Sequence, residues 1–343
     1  MIPIIKQLIH NYHKLVIVPQ KRALSRLSPA QRDHITNWLS KHEFPLKQEP
    51  LLDQLSIRRI EELACTLPTL DGTIPLLSRR LTNQIRKGIE LSPGHSLVFC
   101  NPVAPEKDLE SDATISVCPP PEPFVRRMWA SGSFRFLHPL YLGDEIISER
   151  SVKNIDIKRL DSENPMVIVE QEIATSVTAS FDGSIISPGR AEGPCIIETR
   201  SHVYIPISNK RRSQKVEQTL PESDFSFTYI PTDTTLFRFS ALTFNAHRIH
   251  LDKEYARNVE GLNERLVHGP MTALMLLEVI ENNRPSNLRI DRFEYRATSP
   301  LFINSPITIA GKWTNDEEVN IWAHSYDNVV GMKGRASLKR IGS

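Results

Sequence analysis

The chain is poor in the features that mark a secreted scaffold, a membrane span or a nucleic-acid grip. Its 343 residues hold four cysteines, Cys65, Cys100, Cys118 and Cys195, far apart and without a C-x-x-C pair. That spacing suggests neither a disulfide framework nor a zinc ribbon, and reduced thiols in an intracellular compartment are expected. Apolar runs such as Ala273 to Leu277 are a few residues long, far short of the ~20 that a spanning helix needs. Net charge is only +2, and no basic run is interleaved with aromatics, so a nucleic-acid partner is not expected. Also missing are G-x-G-x-x-G, a P-loop, G-x-S-x-G and H-E-x-x-H, which removes support for nucleotide, serine-hydrolase and zinc-protease chemistry.

What is present is a globular composition, 40% hydrophobic and 24% charged, at a length suited to two domains. Charge is uneven. Residues 1–32 carry Lys6, Lys14, Lys21, Arg22, Arg26 and Arg32 and no acid, leaving the remainder with 36 basic and 40 acidic residues. Apolar residues near helical spacing among these bases fit a mitochondrial import leader, drawn here over 1–45. Helices are expected at Ile57 to Leu67 and around Leu77 to Lys87. Strands are expected at Ser96 to Phe99, Ser133 to Phe136, Glu145 to Ile157 and Met166 to Ser180. A polar stretch over 199–222, containing Asn209-Lys210-Arg211-Arg212, marks a crossing between halves. Beyond it, strands are expected at Phe225 to Ile230 and Thr235 to Phe239. A helix at Gly269 to Asn282 follows, then strands at Leu288 to Arg296, Ser305 to Trp313, Val319 to Ser325 and Gly334 to Leu338. The two halves share an order of elements, with the apolar helix wrapped by a sheet.

Chemistry concentrates in Phe239 to Asp252, where Asn245, His247, His250 and Asp252 share one loop. An imidazole titrates near neutrality and can both take and return a proton, so His250 is a candidate general base with Asn245 as a partner for water or a hydroxyl. A metal on His247, His250 and Asp252 is an alternative with no further ligands in view. Helix capping, above all by Asp252, is another. Next comes His268-Gly269-Pro270 at the start of the apolar helix. There the Gly269 amide can polarise a carbonyl.

These residues resemble a known family. Arg126 to Asp144, Phe239 to Asp252, His268-Gly269-Pro270 and Arg292 to Phe302 are similar to the MaoC-like, R-specific hydratase branch of hotdog proteins. The closer likeness is to fungal mitochondrial 3-hydroxyacyl-thioester dehydratases of type 2. The resemblance implies an α+β double hotdog, with a non-catalytic first half at 50–200 holding part of an acyl tunnel and a catalytic second half at 223–343. The wider family's G-D-x-N-P-[LI]-H loop places its His on His250, its Asp on Asn245, its Asn on His247 and its Pro on Arg248. The implied reaction removes water from (3R)-3-hydroxyacyl thioesters on acyl carrier protein or CoA, in mitochondrial fatty-acid synthesis in the matrix, with no external cofactor. His250, Asn245, His247 and Gly269 would be catalytic. Arg248, His268, Pro270, Arg292 and Arg296 would bind substrate or carrier. The alternatives are hydration of C5-dicarboxylyl-CoA thioesters and a non-catalytic thioester or carrier binder. A monomer and a homodimer are both compatible with two halves on one chain.

Overall fold

The computed structural model describes residues 27–68, 85–179, 193–206 and 219–341. The first half contains α1 (Pro29–Leu39), β1 (Leu46–Lys47), β2 (Leu51–Gln54), α2 (Ile57–Ala64), β3 (Arg126–Phe136), β4 (Glu145–Lys158), β5 (Met166–Ala179) and β6 (Ile196–Ile205). The second contains β7 (Phe225–Tyr229), α3 (Asp233–Leu242), α4 (Arg248–Leu251), α5 (Lys253–Asn258), α6 (Gly269–Asn283), β8 (Leu288–Ala297), β9 (Ile307–Asn315), β10 (Glu318–Ser325) and β11 (Val330–Arg340).

All eleven strands join one sheet in the order β1-β4-β5-β6-β3-β8-β11-β10-β9-β7, with β2 also on β4. With β1 and β2, which both pair with β4, counted as one strand, each half runs first, third, fourth, fifth, second strand inward from its own edge. The shared order expected from sequence is therefore a duplicated topology, the double hotdog. The halves meet where β3 pairs antiparallel with β8, from Ser131 opposite Arg296 to Arg135 opposite Arg292. At that seam Phe134 faces Phe293, both fully buried. Gly132 sits opposite Tyr295, and a Cβ at 132 would lie 2.4 Å from the Tyr295 hydroxyl and 2.5 Å from the Thr199 carbonyl. The close approach of β3, β6 and β8 requires glycine there.

Helix α6 fills the concave face of the second half. Met271 through Glu281 are all buried, against Phe293, Ile309, Ile321 and Ala336 among others. Each fully buried Leu, Ile or Met contributes about 1.5–3 kcal/mol relative to exposure. Pro270 in the first turn loses no helical hydrogen bond, and Arg284, held extended before Pro285, stops the helix. Its two buried acids are paired: Glu278 with His95 at 2.6 Å and Ser92 at 3.1 Å, and Glu281 with Arg284 at 2.7 Å. In the first half, the crossover between β2 and β3 carries, among the described residues, only α2 and two 3₁₀ turns, at His95–Val98 and Glu106–Asp108.

Several expectations are corrected. Thr235 to Phe239 belongs to α3 and not to a strand. Thr232 caps the helix by accepting the Thr235 amide, and Leu236, Phe239 and Ser240 form its buried face. His95–Val98 is a 3₁₀ turn where a strand was expected. The leader drawn to residue 45 extends too far: Leu27 and Ile35 pack with Phe124, Val152, Val167 and Tyr204, so α1 is part of the fold. Residues 199–205, assigned to the crossing, are the inner part of β6, paired with both β5 and β3. The basic segment before Leu27, most of the helix expected around Leu77 to Lys87, and Asn209 to Arg212 lie outside the described residues. Among those described, no helix is long and apolar enough to cross a membrane.

Candidate active site

The site is assembled where α3 ends and α6 begins. Past the Thr243 cap, Phe244 adopts a left-handed conformation (φ 49°) that turns the chain back. Asn245 then folds on itself, its Oδ1 accepting the His247 amide at 3.0 Å. One turn of helix, α4, follows and brings His247 and His250 to one side. Asp252 caps α5 by accepting the Tyr255 amide at 2.9 Å and pairs with Arg248 at 2.8 Å, so it is a cap as expected. The return strand is held by the Leu266 amide on the Ile249 carbonyl at 3.1 Å and the Val267 amide on the Leu301 carbonyl at 2.9 Å.

These connections stack three imidazoles. His250 lies on His268 with ring centroids 3.7 Å apart and planes 24° from parallel, and His247 meets His250 edge-on at 5.4 Å. His268 rests against Phe239 and its Nε2 is 2.8 Å from the Ser240 hydroxyl. All three rings are buried. The His250 Nδ1 lies 2.8 Å from the Leu266 carbonyl. A carbonyl only accepts, so the proton is on Nδ1 and Nε2 presents its lone pair. Burial pulls the His250 pKa down to about 4, partly opposed by that carbonyl. Burial first and neighbouring imidazoles second hold His268 well below the usual histidine range. Burial, then His250 and Arg127, do the same for His247. The cluster is neutral at pH 7, as three touching imidazoles away from water must be.

His268 is the N-cap of α6 and Gly269 its first residue, so the base candidate stacks on the residue that introduces the amide candidate. The free amides at that end favour a developing negative charge on a substrate oxygen. Gly269 has a second constraint. A Cβ there would lie 2.7 Å from Trp129 Cγ, so only glycine allows the helix start to meet the first half. The Asn245 Nδ2 has no acceptor among the described residues and remains available to a hydroxyl or water.

The first half supplies residues that sequence reading missed. Asp112 places its carbonyl on the Arg248 amide at 2.9 Å and a carboxylate oxygen 3.4 Å from His247 Nε2. Trp129 covers Gly269. Arg126 donates to the Glu260 carbonyl at 2.7 Å and pairs with its buried carboxylate, tying the α5–α6 loop to β3. Trp129 and Arg126 stand in the Arg126 to Asp144 segment already singled out. Asp112 carries no local signal, because its partner is 135 residues away. Among the expected binding residues, His268 and Pro270 lie at the helix start. Arg248 is half-exposed, paired to Asp252 and stacked over Tyr255 at 4.4 Å. Arg292 and Arg296 are exposed on β8, alternating with the buried Phe293 and Tyr295. They face away from the histidines, because strand neighbours point to opposite sides. No group of three or more histidine, cysteine or acidic side chains among the described residues is arranged to hold a metal ion.

A family profile for hydroxyacyl-thioester dehydratase type 2 matches residues 94–303. The mitochondrial hydroxyacyl-thioester dehydratase type 2 of Schizosaccharomyces pombe is 30% identical over 290 residues, 79% of this chain and 91% of that protein. The chain belongs to the hydroxyacyl-thioester dehydratase type 2 family. The mesaconyl-C(4)-CoA hydratase of Chloroflexus aurantiacus is 32% identical over 240 residues, covering 69% of this chain and 80% of that one. A crystal structure of a MaoC-like dehydratase from Phytophthora capsici superposes with a TM-score of 0.59 at 14% identity, over 91% of this chain and 99% of that one. The last comparison speaks for the fold. Membership makes the chain an enzyme of the dehydratase and hydratase type.

Proposed function

We propose that this family member interconverts (3R)-3-hydroxyacyl and trans-2-enoyl thioesters at His250. The observation that carries this reading is the neutral His250 ring, its Nδ1 proton held by the Leu266 carbonyl, stacked at 3.7 Å on the N-cap of α6. In the dehydration direction the thioester oxygen accepts the Gly269 amide, which acidifies the α-carbon. His250 Nε2 takes the α-proton, those electrons form the C=C bond, and the β C–O bond breaks. His250 returns the same proton to the departing oxygen while the Asn245 amide donates to it, so water leaves and the imidazole ends neutral. Asn245 cannot take a proton, which leaves the transfer to His250, with His247 as the adjoining imidazole.

Two acyl groups fit this chemistry. One, favoured by the mitochondrial relative and by the basic segment before Leu27, is a 3-hydroxyacyl chain on acyl carrier protein in matrix fatty-acid synthesis. The other, favoured by the Chloroflexus relative, is a C5-dicarboxylyl group on CoA. The test of the shared reaction is enoyl absorbance on incubation with 3R- and 3S-hydroxyacyl-CoA. Turnover of the 3R form, lost in His250→Ala, supports the assignment. Full turnover in that variant removes it. Binding of acyl carrier protein without turnover by the native chain would leave a binding protein in its place.

A further inference from the structure

Two buried polar side chains beside the histidine loop are ill suited to the helices that carry them. His268 is fully buried at the N-cap of α6 yet makes no side-chain cap, where Ser, Thr, Asp or Asn would satisfy a free amide. Its Nδ1 is buried without a hydrogen-bond partner, which is unfavourable for a polar atom out of water. Ser240, buried near the end of α3, is a weak helix former. Its hydroxyl reaches out of its own helix to lie 2.8 Å from His268 Nε2.

Together the two set a plane. Ser240 holds one edge of the His268 ring, and Phe239 packs against that ring with centroids 5.1 Å apart and planes at 57°. His250 lies on the other side of it, at 3.7 Å and 24° from parallel. The His250 ring is itself tethered at Nδ1, to the Leu266 carbonyl. A ring held at one nitrogen can still rock about that bond and swing Nε2, and a flat partner in contact removes the freedom. The same serine reaches the start of the loop as well, its carbonyl accepting the Asn245 amide at 2.8 Å. We propose that Ser240 and His268 are a positioning pair for the reaction. The Ser240 hydroxyl fixes the plane of the His268 imidazole, that plane aims His250 Nε2 at the substrate, and the Ser240 carbonyl keeps Asn245 in register. His268 then supports the base and does not bind substrate. The proposal rests on the thioester reading above and adds to it the groups that hold the base in place.

Steady-state kinetics of the intact chain on a 3R-hydroxyacyl-CoA test the pair. Ser240→Ala lowers kcat about thirtyfold, the scale of a slightly misplaced base, and changes KM by about threefold or less. Ser240→Cys, which keeps the volume and offers a weaker donor, falls between. His268→Gln keeps a partner for Ser240 but offers no ring, and loses at least as much as Ser240→Ala. The double variant loses no more than His268→Gln alone, because the hydroxyl acts through the ring. Losses that multiply in the double variant, a Ser240→Ala defect confined to KM, or native kcat in Ser240→Ala overturn the proposal. Proton NMR of the histidine rings gives a readout free of turnover. The His268 ring displaces the signals of the carbon-bound His250 protons, and Ser240→Ala reduces that displacement while unfolding stays cooperative. An unchanged His250 signal overturns the pair and leaves the mechanism standing. A native chain that turns over no 3-hydroxyacyl thioester removes the mechanism, and the NMR comparison still decides whether Ser240 sets the ring planes.

Discussion

The two halves share a strand order and differ in what fills them. The second half is closed by α6, whose buried run from Met271 to Glu281 occupies the concave face completely. The first half leaves its concave face to Ser148, Thr175, Arg150, Glu198 and Arg200 around a cavity. A duplicated hotdog thus divides the work. The second copy presents the N-terminus of α6 to the histidines, and the first contributes Asp112, Arg126 and Trp129 from outside that cavity. Close packing stabilises a core, and the charged lining of the first half makes its interior the less apolar of the two.

The sharpest way to break this comparison is to remove the base from the half that carries it. His250→Ala lowers kcat/KM for a 3R-hydroxyacyl-CoA by about a thousandfold, within the usual range for a positioned general base. His138→Ala, in the loop between β3 and β4 of the first half, has no such effect. Equal losses in a steady-state assay would mean that the halves are not specialised.

The second test attacks their contact. Gly269→Ala drives a methyl group into Trp129, and overpacking of this kind costs about 1–3 kcal/mol. Chemical denaturation should show that loss, with a fall in kcat, and Trp129→Ala in the same chain should recover the stability. If Gly269→Ala is neutral alone, the helix start and the first half are not in the contact described.

A third test concerns the seam, where Phe134 faces Phe293. Phe134→Ala removes a fully buried ring and costs about 3–5 kcal/mol. A single unfolding transition in the variant would show that the halves still unfold together, and two transitions would show that the seam couples them.

The pH dependence is gentler. With the folded His250 pKa down at about 4 and the unfolded one at its usual value, the unfolded chain binds more protons between about pH 4 and 6.5. Stability is therefore fully present above pH 6.5 and declines as pH falls toward 4, with His247 and His268 adding in the same direction. The acid limb of kcat/KM follows the folded value and not 6.5. A break near 6.5 in the rate profile would contradict the burial of the ring. The smallest effect belongs to Asp112→Asn, which keeps the Arg248 contact through the backbone and the two Thr114 hydrogen bonds through Oδ1, and alters the 3.4 Å approach to His247. Kinetics should show about a threefold change or less, the scale of a weak polar contact.

Much of this was legible from sequence because the signals were local. The helix at Gly269 was marked by apolar residues after a Gly-Pro start, and β5 by its alternation of apolar and polar residues. The histidine loop stood out because Asn245, His247 and His250 fall within six residues. The strand expected at Thr235 to Phe239 failed because Thr234, Thr235 and the alternating phenylalanines imitate a period of two, while the Thr232 cap and tertiary burial of Leu236 and Phe239 select a helix. The leader was drawn too long because basic composition cannot reveal that Ile35 is needed by a core formed with β4 and β5.

What the sequence determined by itself is the set of parts: which segments alternate, which helix is apolar, and which loop concentrates imidazoles. Only the tertiary structure decided that His250 stacks on His268, that Trp129 of one half requires glycine at position 269 of the other, and that Asp112 meets His247 and Arg248. The physical reason is range. Periodicity and capping act over a few residues, whereas burial, pKa and the pairing of charges depend on neighbours brought together across more than a hundred.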